Sequence, residues 1–225
     1  MKLHMHKIST TCRPILQFAA EYKLDLEMVV VDLMTGEHLQ EPFTRLNPNK
    51  LVPVLEDGDF ILTESSAILK YLADKVGSPA YPKDLKERAK VNELMDWFNT
   101  TFYREYGYHM VYPQVYPHHV RQPDTANQVT VDWGKGQAGF LLDVLDKHWL
   151  GPKRQYLTGD KMTIADFFGA GLLTCGDLIG VNYKKYPNVS RWLSRMQALP
   201  SWNAVNDVHN GFASSLKEKQ FVTLA

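Results

Sequence analysis

Apolar and polar positions along the first third of the chain change period several times. "KLHMHKI" (2–8) alternates at period two and predicts a strand. "RPILQFAAEYKL" (13–24) spaces its apolar residues as a helix does, with Pro14 in the first turn, where a missing N–H is tolerated. "LEMVVVDL" (26–33) is rich in β-branched residues and predicts a buried strand. "EHLQEPFTRLNP" (37–48) reads as loop with one short helix. "LVPVLEDGDFILTE" (51–64) predicts a hairpin about Asp57-Gly58, and "SSAILKYLADKVG" (65–77) an amphipathic helix running from a serine cap to Gly77. The order β-α-β-α-β-β-α is one βαβ unit, a hairpin and a last helix, a small α/β domain with a mixed sheet.

"SPAYPKD" (78–84) carries two prolines and no periodicity, and beyond it the strand pattern disappears. Helical runs are predicted over 85–112, ending before Pro113, and over 124–150, 163–179, 187–198 and 200–215. The run at 163–179 is apolar nearly all round, as the central helix of a bundle is. The expected organisation is an α/β domain over 1–77, a linker over 78–86 and an all-α domain over 87–225.

Composition narrows the setting. Lys plus Arg equals Asp plus Glu at 25 each, so no whole-molecule field draws the 225-residue chain to nucleic acid or to an acidic membrane. Two cysteines, Cys12 and Cys175, with no Cys-x-x-Cys pair, point to a reducing compartment and away from a disulfide scaffold. "MKLHMHKIS" lacks the apolar core of a signal peptide, and no stretch approaches the ~20 apolar residues of a membrane span. A cytoplasmic protein is expected.

Several residues have two readings from their own chemistry. Ser9, where the first strand turns into the first helix, is a helix cap or a hydroxyl available to a ligand. Cys12 is a small buried residue or a monothiol, and Arg13 a structural ion-pair partner or a support for a binding site. Val52-Pro53 is an extended dipeptide at an edge. Glu64, Ser65 and Ser66 on their own read as the start of an ordinary capped helix with acid in its first turn, and His38 and Lys50 alone are solvated loop residues. "TIAD" (163–166) is a capping box with a structural role. His4 and His6 share a strand face and read as structural. His118 and His119, adjacent and therefore directed to different sides, have no nearby acid or cysteine to complete a metal site.

The segments "ISTTCRP", "TGEHLQEPFTRLNPNKLVPVLEDGDFILTESSAILKYLAD" and "MTIADFF" together resemble the glutathione S-transferases, nearest to their serine-type theta and delta classes. That resemblance implies a thioredoxin-like N-terminal domain and an all-α C-terminal domain. It implies that Ser9 replaces the first cysteine of a redox pair and stabilises the thiolate of bound glutathione. Thr10 and Thr11 are alternative donors, and Thr11 stands where the serine-type classes usually carry proline. Val52, before a cis Pro53, would pair its backbone with the cysteinyl part of the tripeptide. Glu64 and Ser65, with Ser66 where some relatives have arginine, would hold the γ-glutamyl end. His38 and Lys50 would meet the glycine carboxylate.

The resemblance also implies glutathione as cosubstrate with no metal or other cofactor, a hydrophobic electrophile as second substrate, a detoxifying conjugation, and a homodimer. The aromatic stretch 102–116 reads as core or as pocket wall. Tyr106 and Met110, four apart on one helical face, are the candidate electrophile wall, with Arg104 or Tyr103 to polarise a leaving group. A glutathione-dependent reductase, peroxidase or dehalogenase, and a non-enzymatic interaction module, are the alternatives on the same fold.

Overall fold

The computed structural model describes residues 1–224. Its sheet has the order β2-β1-β3-β4: β1 (Lys2–Met5) pairs parallel with β2 (Glu27–Val30) and antiparallel with β3 (Val54–Asp57), which pairs antiparallel with β4 (Phe60–Leu62). β1 places Leu3 and Met5 in the core and stops at Met5, short of the predicted Ile8. The ladder with β2 ends there, and the chain enters a turn closed by Ser9 N–H on His6 O at 3.0 Å. β2 is an edge strand with Val30 61% exposed, which corrects the expectation of a buried one. β-branched composition favours a pleated ribbon but does not say which neighbour that ribbon will have. The hairpin turn lies at Gly58–Asp59, one residue later than expected, with Gly58 at φ +65° in the region that glycine enters without strain.

Helix α1 (Arg13–Glu21), the short α2 (Phe43–Leu46) and α3 (Ser65–Lys75) complete this half. The remainder is helical. α4 (Leu85–Asp96) begins at Asp84, whose carboxylate accepts the N–H groups of Lys86 and Glu87 at 3.0 Å. It widens into π-helical turns over Trp97–Phe102 and Arg104–Val111, then closes as α5 (Tyr112–Val115). The helical path therefore passes through Pro113. The proline falls in the first turn of α5, where the wide turns give way to ordinary helix.

α6 (Asp124–Val144) runs on through wide turns at Leu145–Leu150. α7 (Ile164–Leu173) tightens into a 3₁₀ helix, Thr174–Ile179, and α8 (Pro187–Gln197) and α9 (Trp202–Ser215) follow. Among the described residues no helix is long and apolar enough to cross a membrane.

The two halves share one continuous apolar core. α1 lies against α7, with Phe18 edge-on to Phe167 at 5.6 Å between centroids. Pro14 sits so close to Gly171 that a β-carbon there would fall 2.5 Å from the proline Cγ. The stretch read as a linker is itself packed: Ala80 and Tyr81 are buried, and Ala80 O accepts Ile164 N–H at 2.9 Å.

The capping box at Thr163 is formed, and its Asp166 is fully buried. Its carboxylate accepts from Thr163 N (2.8 Å), Thr163 Oγ1 (3.1 Å), Leu157 N (2.9 Å) and Trp192 Nε1 (2.9 Å). Burial pushes its pKa up to about 6 against the pull of those donors. Asp166→Ala strands several buried donors at once. It is expected to lower unfolding free energy by about 3 kcal/mol or more in urea titration, with Asp166→Asn losing less.

Candidate active site

A cleft of about 350 Å³ lies between the halves. From the sheet half it is lined by Ser9, Thr10, Thr11, His38, Lys50, Val52, Pro53, Glu64 and Ser65, nearly the whole set named from the sequence. Ser66, next along α3, is outside that lining. No group of three or more His, Cys, Asp or Glu side chains among the described residues is arranged to hold a metal ion.

The three hydroxyls at the start of α1 have different partners. Ser9 Oγ accepts Cys12 N–H at 3.3 Å and lies 3.2 Å from Thr11 Oγ1. Thr11 Oγ1 also lies 3.4 Å from Val52 O, to which it can donate. Either hydroxyl of the Ser9–Thr11 pair can donate to the other. Thr10 turns the other way: buried, it accepts the hydroxyl of Tyr112 at 3.0 Å, and Tyr112 in turn bonds Tyr103. Cys12 is fully buried, and burial pushes its thiol up to about 11. At neutral pH it is a protonated packing residue.

Beyond Ser9 the backbone presents unspent polar groups. The Val52–Pro53 peptide is cis, and Val52 N–H has no acceptor among the described residues. Glu64 precedes α3 at φ +65°, a left-handed conformation costing a non-glycine residue about 1 kcal/mol or more. It leaves the N–H groups of Ser65 and Ser66 without acceptors among the described residues, at the positive end of the helix. At the other end of the cleft Lys50 is exposed, and His38 has its Nδ1 buried without a partner. Burial first, then the neighbouring His118, holds the His38 pKa below the ordinary imidazole value.

The helical half supplies Asn99, Tyr103, Tyr108, Tyr112, Tyr116, His118 and His119 to the opposite wall. Tyr106 and Met110, expected on this wall, are fully buried in the core instead. The Tyr106 hydroxyl bonds Tyr183 and lies 3.2 Å from Leu173 O. The reason is the wide turns of Arg104–Val111: they advance the face by more than 3.6 residues per turn, so Tyr103, Tyr108 and Tyr112 line up where ordinary helical spacing would not bring them. Arg104 points away from the cleft and pairs with Glu105 at 2.7 Å.

His118 and His119 both face the cleft, because the short 3₁₀ turn at Pro117–His119 brings their rings to 4.4 Å between centroids. Burial, chiefly, raises the pKa of Tyr108, pushes Tyr116 up to about 12 and lifts Tyr112 well above the usual phenol range. These walls are neutral hydrogen-bond donors at physiological pH.

A sheet half with a cis proline beside an exposed backbone edge, a hydroxyl at the first strand-helix junction, and an aromatic helical wall define a class, and comparison with known proteins agrees. Residues 3–74 match the glutathione S-transferase N-terminal domain and residues 115–200 its C-terminal domain. The chain belongs to the glutathione S-transferase family, a family of transferase enzymes. It is 31% identical to human glutathione S-transferase theta-1 over 98% of this chain and 91% of that protein, and 30% identical to rat theta-2 over 100% and 91%. Its fold superposes on apo human glutathione S-transferase T1-1 with a TM-score of 0.81, at 30% identity over 98% and 92% of the two chains. Human theta-2, solved in complex with glutathione and an unknown ligand, gives 0.83 at 27% identity over 100% and 93%.

The division of the aromatic segment is directly testable. Tyr106→Phe is expected to lower stability by about 1–2 kcal/mol in thermal or urea unfolding and to leave electrophile kinetics unchanged. Tyr108→Ala is expected to raise the electrophile KM several-fold with little loss of stability. The opposite pattern would return Tyr106 to the wall.

Proposed function

We propose that this protein conjugates glutathione to hydrophobic electrophiles, with Ser9 holding the glutathione sulfur as thiolate. The observation that carries this reading is the Ser9 hydroxyl: it lines the cleft, its oxygen takes Cys12 N–H, and among the described residues no carbonyl or carboxylate claims its proton. A free thiol with pKa near ~8.5 is mostly protonated at neutral pH. Lowering it by about two units makes thiolate dominant and corresponds to ~2.7 kcal/mol of preference for the anion. A hydroxyl donor and the N-terminus of α1 both favour that anion.

The cysteinyl backbone of glutathione pairs with Val52, its γ-glutamyl carboxylate with the N–H groups of Ser65 and Ser66, its amine with Glu64, and its glycine carboxylate with Lys50 and His38. Binding releases the thiol proton to solvent. The sulfur then forms a bond to an electrophilic carbon held against Tyr108, Tyr112 and Tyr116. In displacement a halide leaves with the bonding pair; in conjugate addition the carbanion is protonated. Holding both reactants in place supplies much of the acceleration. A homodimer in the cytoplasm, divided into the domains expected from the sequence, accompanies this reading.

Buried and protonated, Cys12 argues against dithiol chemistry as the main activity. Ser9→Ala is expected to lower kcat/KM for a halogenated aromatic by about 10²-fold, the scale of losing one positioned donor, while Cys12→Ala stays within about threefold. The reverse ordering would favour thiol–disulfide exchange. The wild-type protein should be retained on immobilised glutathione and eluted by the free tripeptide; failure to bind at millimolar ligand would make it an interaction module.

A further inference from the structure

His118 and His119 reach the cleft from the helical half, on the turn Pro117–His119, with ring centroids 4.4 Å apart. They prolong the aromatic wall. His119 lies 5.5 Å from Tyr108 and 5.2 Å from Tyr112, and His118 lies 5.8 Å from Tyr116, all between ring centroids. Tyr116 is itself stacked on Phe212 of α9 at 17° between planes, which ties this end of the wall to the bundle. The hydroxyls of Tyr103 and Tyr112 are spent on each other and on Thr10. The ring nitrogens of His118 and His119 have no hydrogen-bond partner among the described residues, and both rings line the cleft. A purely apolar body laid over them would strip water from those donors and return nothing; one carrying an acceptor would replace the lost bonds.

The charges around the pair say which acceptor. Among the described residues that line the cleft, Glu64 is the one carboxylate; it stands on the sheet half at the start of α3, where its field acts on Tyr108. The phenols of Tyr108, Tyr112 and Tyr116 are protonated, because burial raises each of them. His38, reaching in from the sheet half, is close enough to His118 for the two to disfavour each other's charge, and Lys50 lines the same cleft. Arg121 follows the turn. Burial first, then His118 and Arg121, holds His119 below the ordinary imidazole value, so it is uncharged at neutral pH. The helical wall thus has positive and proton-accepting groups and no anion of its own. A carboxylate arriving there favours the imidazolium form, and its binding draws in a proton.

We propose that His118 and His119 form a carboxylate-binding subsite for the second substrate, so that the preferred electrophile of this protein is an apolar body ending in an acidic group. The tyrosine rings cover the body, and the imidazoles at the end of the wall meet the carboxylate with charge-assisted hydrogen bonds. This rests on the conjugation reading given under Proposed function and narrows its electrophile.

The test uses S-benzylglutathione and S-(p-carboxybenzyl)glutathione, finished conjugates that differ by one carboxylate and require neither turnover nor a thiolate. Binding of each to the full chain is measured by titration calorimetry between about pH 6 and about pH 8, the range in which histidine titrates. The acidic conjugate should bind about tenfold tighter at the acid end and about twofold tighter at the alkaline end. The sign follows from the raised imidazole pKa in the complex: its contribution is present below that pKa and is lost as pH rises through it. Buffers of different ionisation enthalpy should show a proton taken up with the acidic conjugate and none with the neutral one. In the double variant His118→Asn/His119→Asn, with folding checked by melting temperature, the affinity ratio should fall to about one at every pH. Should that variant not fold, the wild-type ratio and proton count decide. Equal wild-type affinities for the two conjugates at the acid end overturn the proposal, and so does a preference that survives in the double variant, which would assign it to Lys50 or Arg121. A double variant that weakens both conjugates alike, beside a wild type with no preference, overturns it too and gives the pair to the tripeptide's own carboxylates. Failure of both conjugates to bind at millimolar concentration overturns the glutathione reading itself, and this proposal with it.

Discussion

The catalytic geometry depends on the contact between Pro14 of α1 and Gly171 of α7. The cleft exists only where the sheet half and the helical half keep a constant separation, and the ring of Pro14 seated on a bare α-carbon sets that separation. A close-packed interior leaves little room to slide. α1 begins at the residue after Cys12, so the same contact that joins the halves also fixes the turn carrying Ser9. Phe18 against Phe167, and Arg13 reaching Thr174 and Asn206, extend the seam along the helix. Stability of the joint and placement of the hydroxyl are therefore one property.

The cleft itself is electrostatically asymmetric. One wall carries unspent backbone donors at Val52 and Ser65, with Lys50 exposed; the other carries phenols held neutral by burial and the His119 imidazole, which burial keeps below its ordinary pKa. Such a surface favours an anion on the sheet side and an apolar or weakly polar body on the helical side. The polarity of the site thus follows from which half each residue belongs to.

Local sequence signals were sufficient wherever the chemistry is carried by neighbours in the chain. The Ser9 turn and the capping box at Thr163 are each set within a few residues and appear where the sequence places them, whereas the cis state of Pro53 came from the family resemblance and the serine cap expected on α3 is not formed. The failures share another cause. β2 has the composition of an interior strand but lies at an edge, because strand order is a property of the whole sheet. Tyr106 and Met110 were assigned to the cleft by a 3.6-residue period, and wide turns broke that period. A glycine at 107 amid aromatics was the one available signal, since a β-carbon there would sit 2.6 Å from the Tyr103 ring.

The amino-acid order by itself determined the periodicities, the turns and the identity of the donors at the first strand-helix junction, because these depend on interactions between residues close in the chain. Only the tertiary structure decided which phenols face the cleft, that Thr10 takes the hydroxyl of Tyr112, and that Arg13 reaches across to Asn206. Those outcomes depend on burial and on partners some hundred or more residues away, Tyr112 for Thr10 and Asn206 for Arg13, whose approach no local pattern encodes.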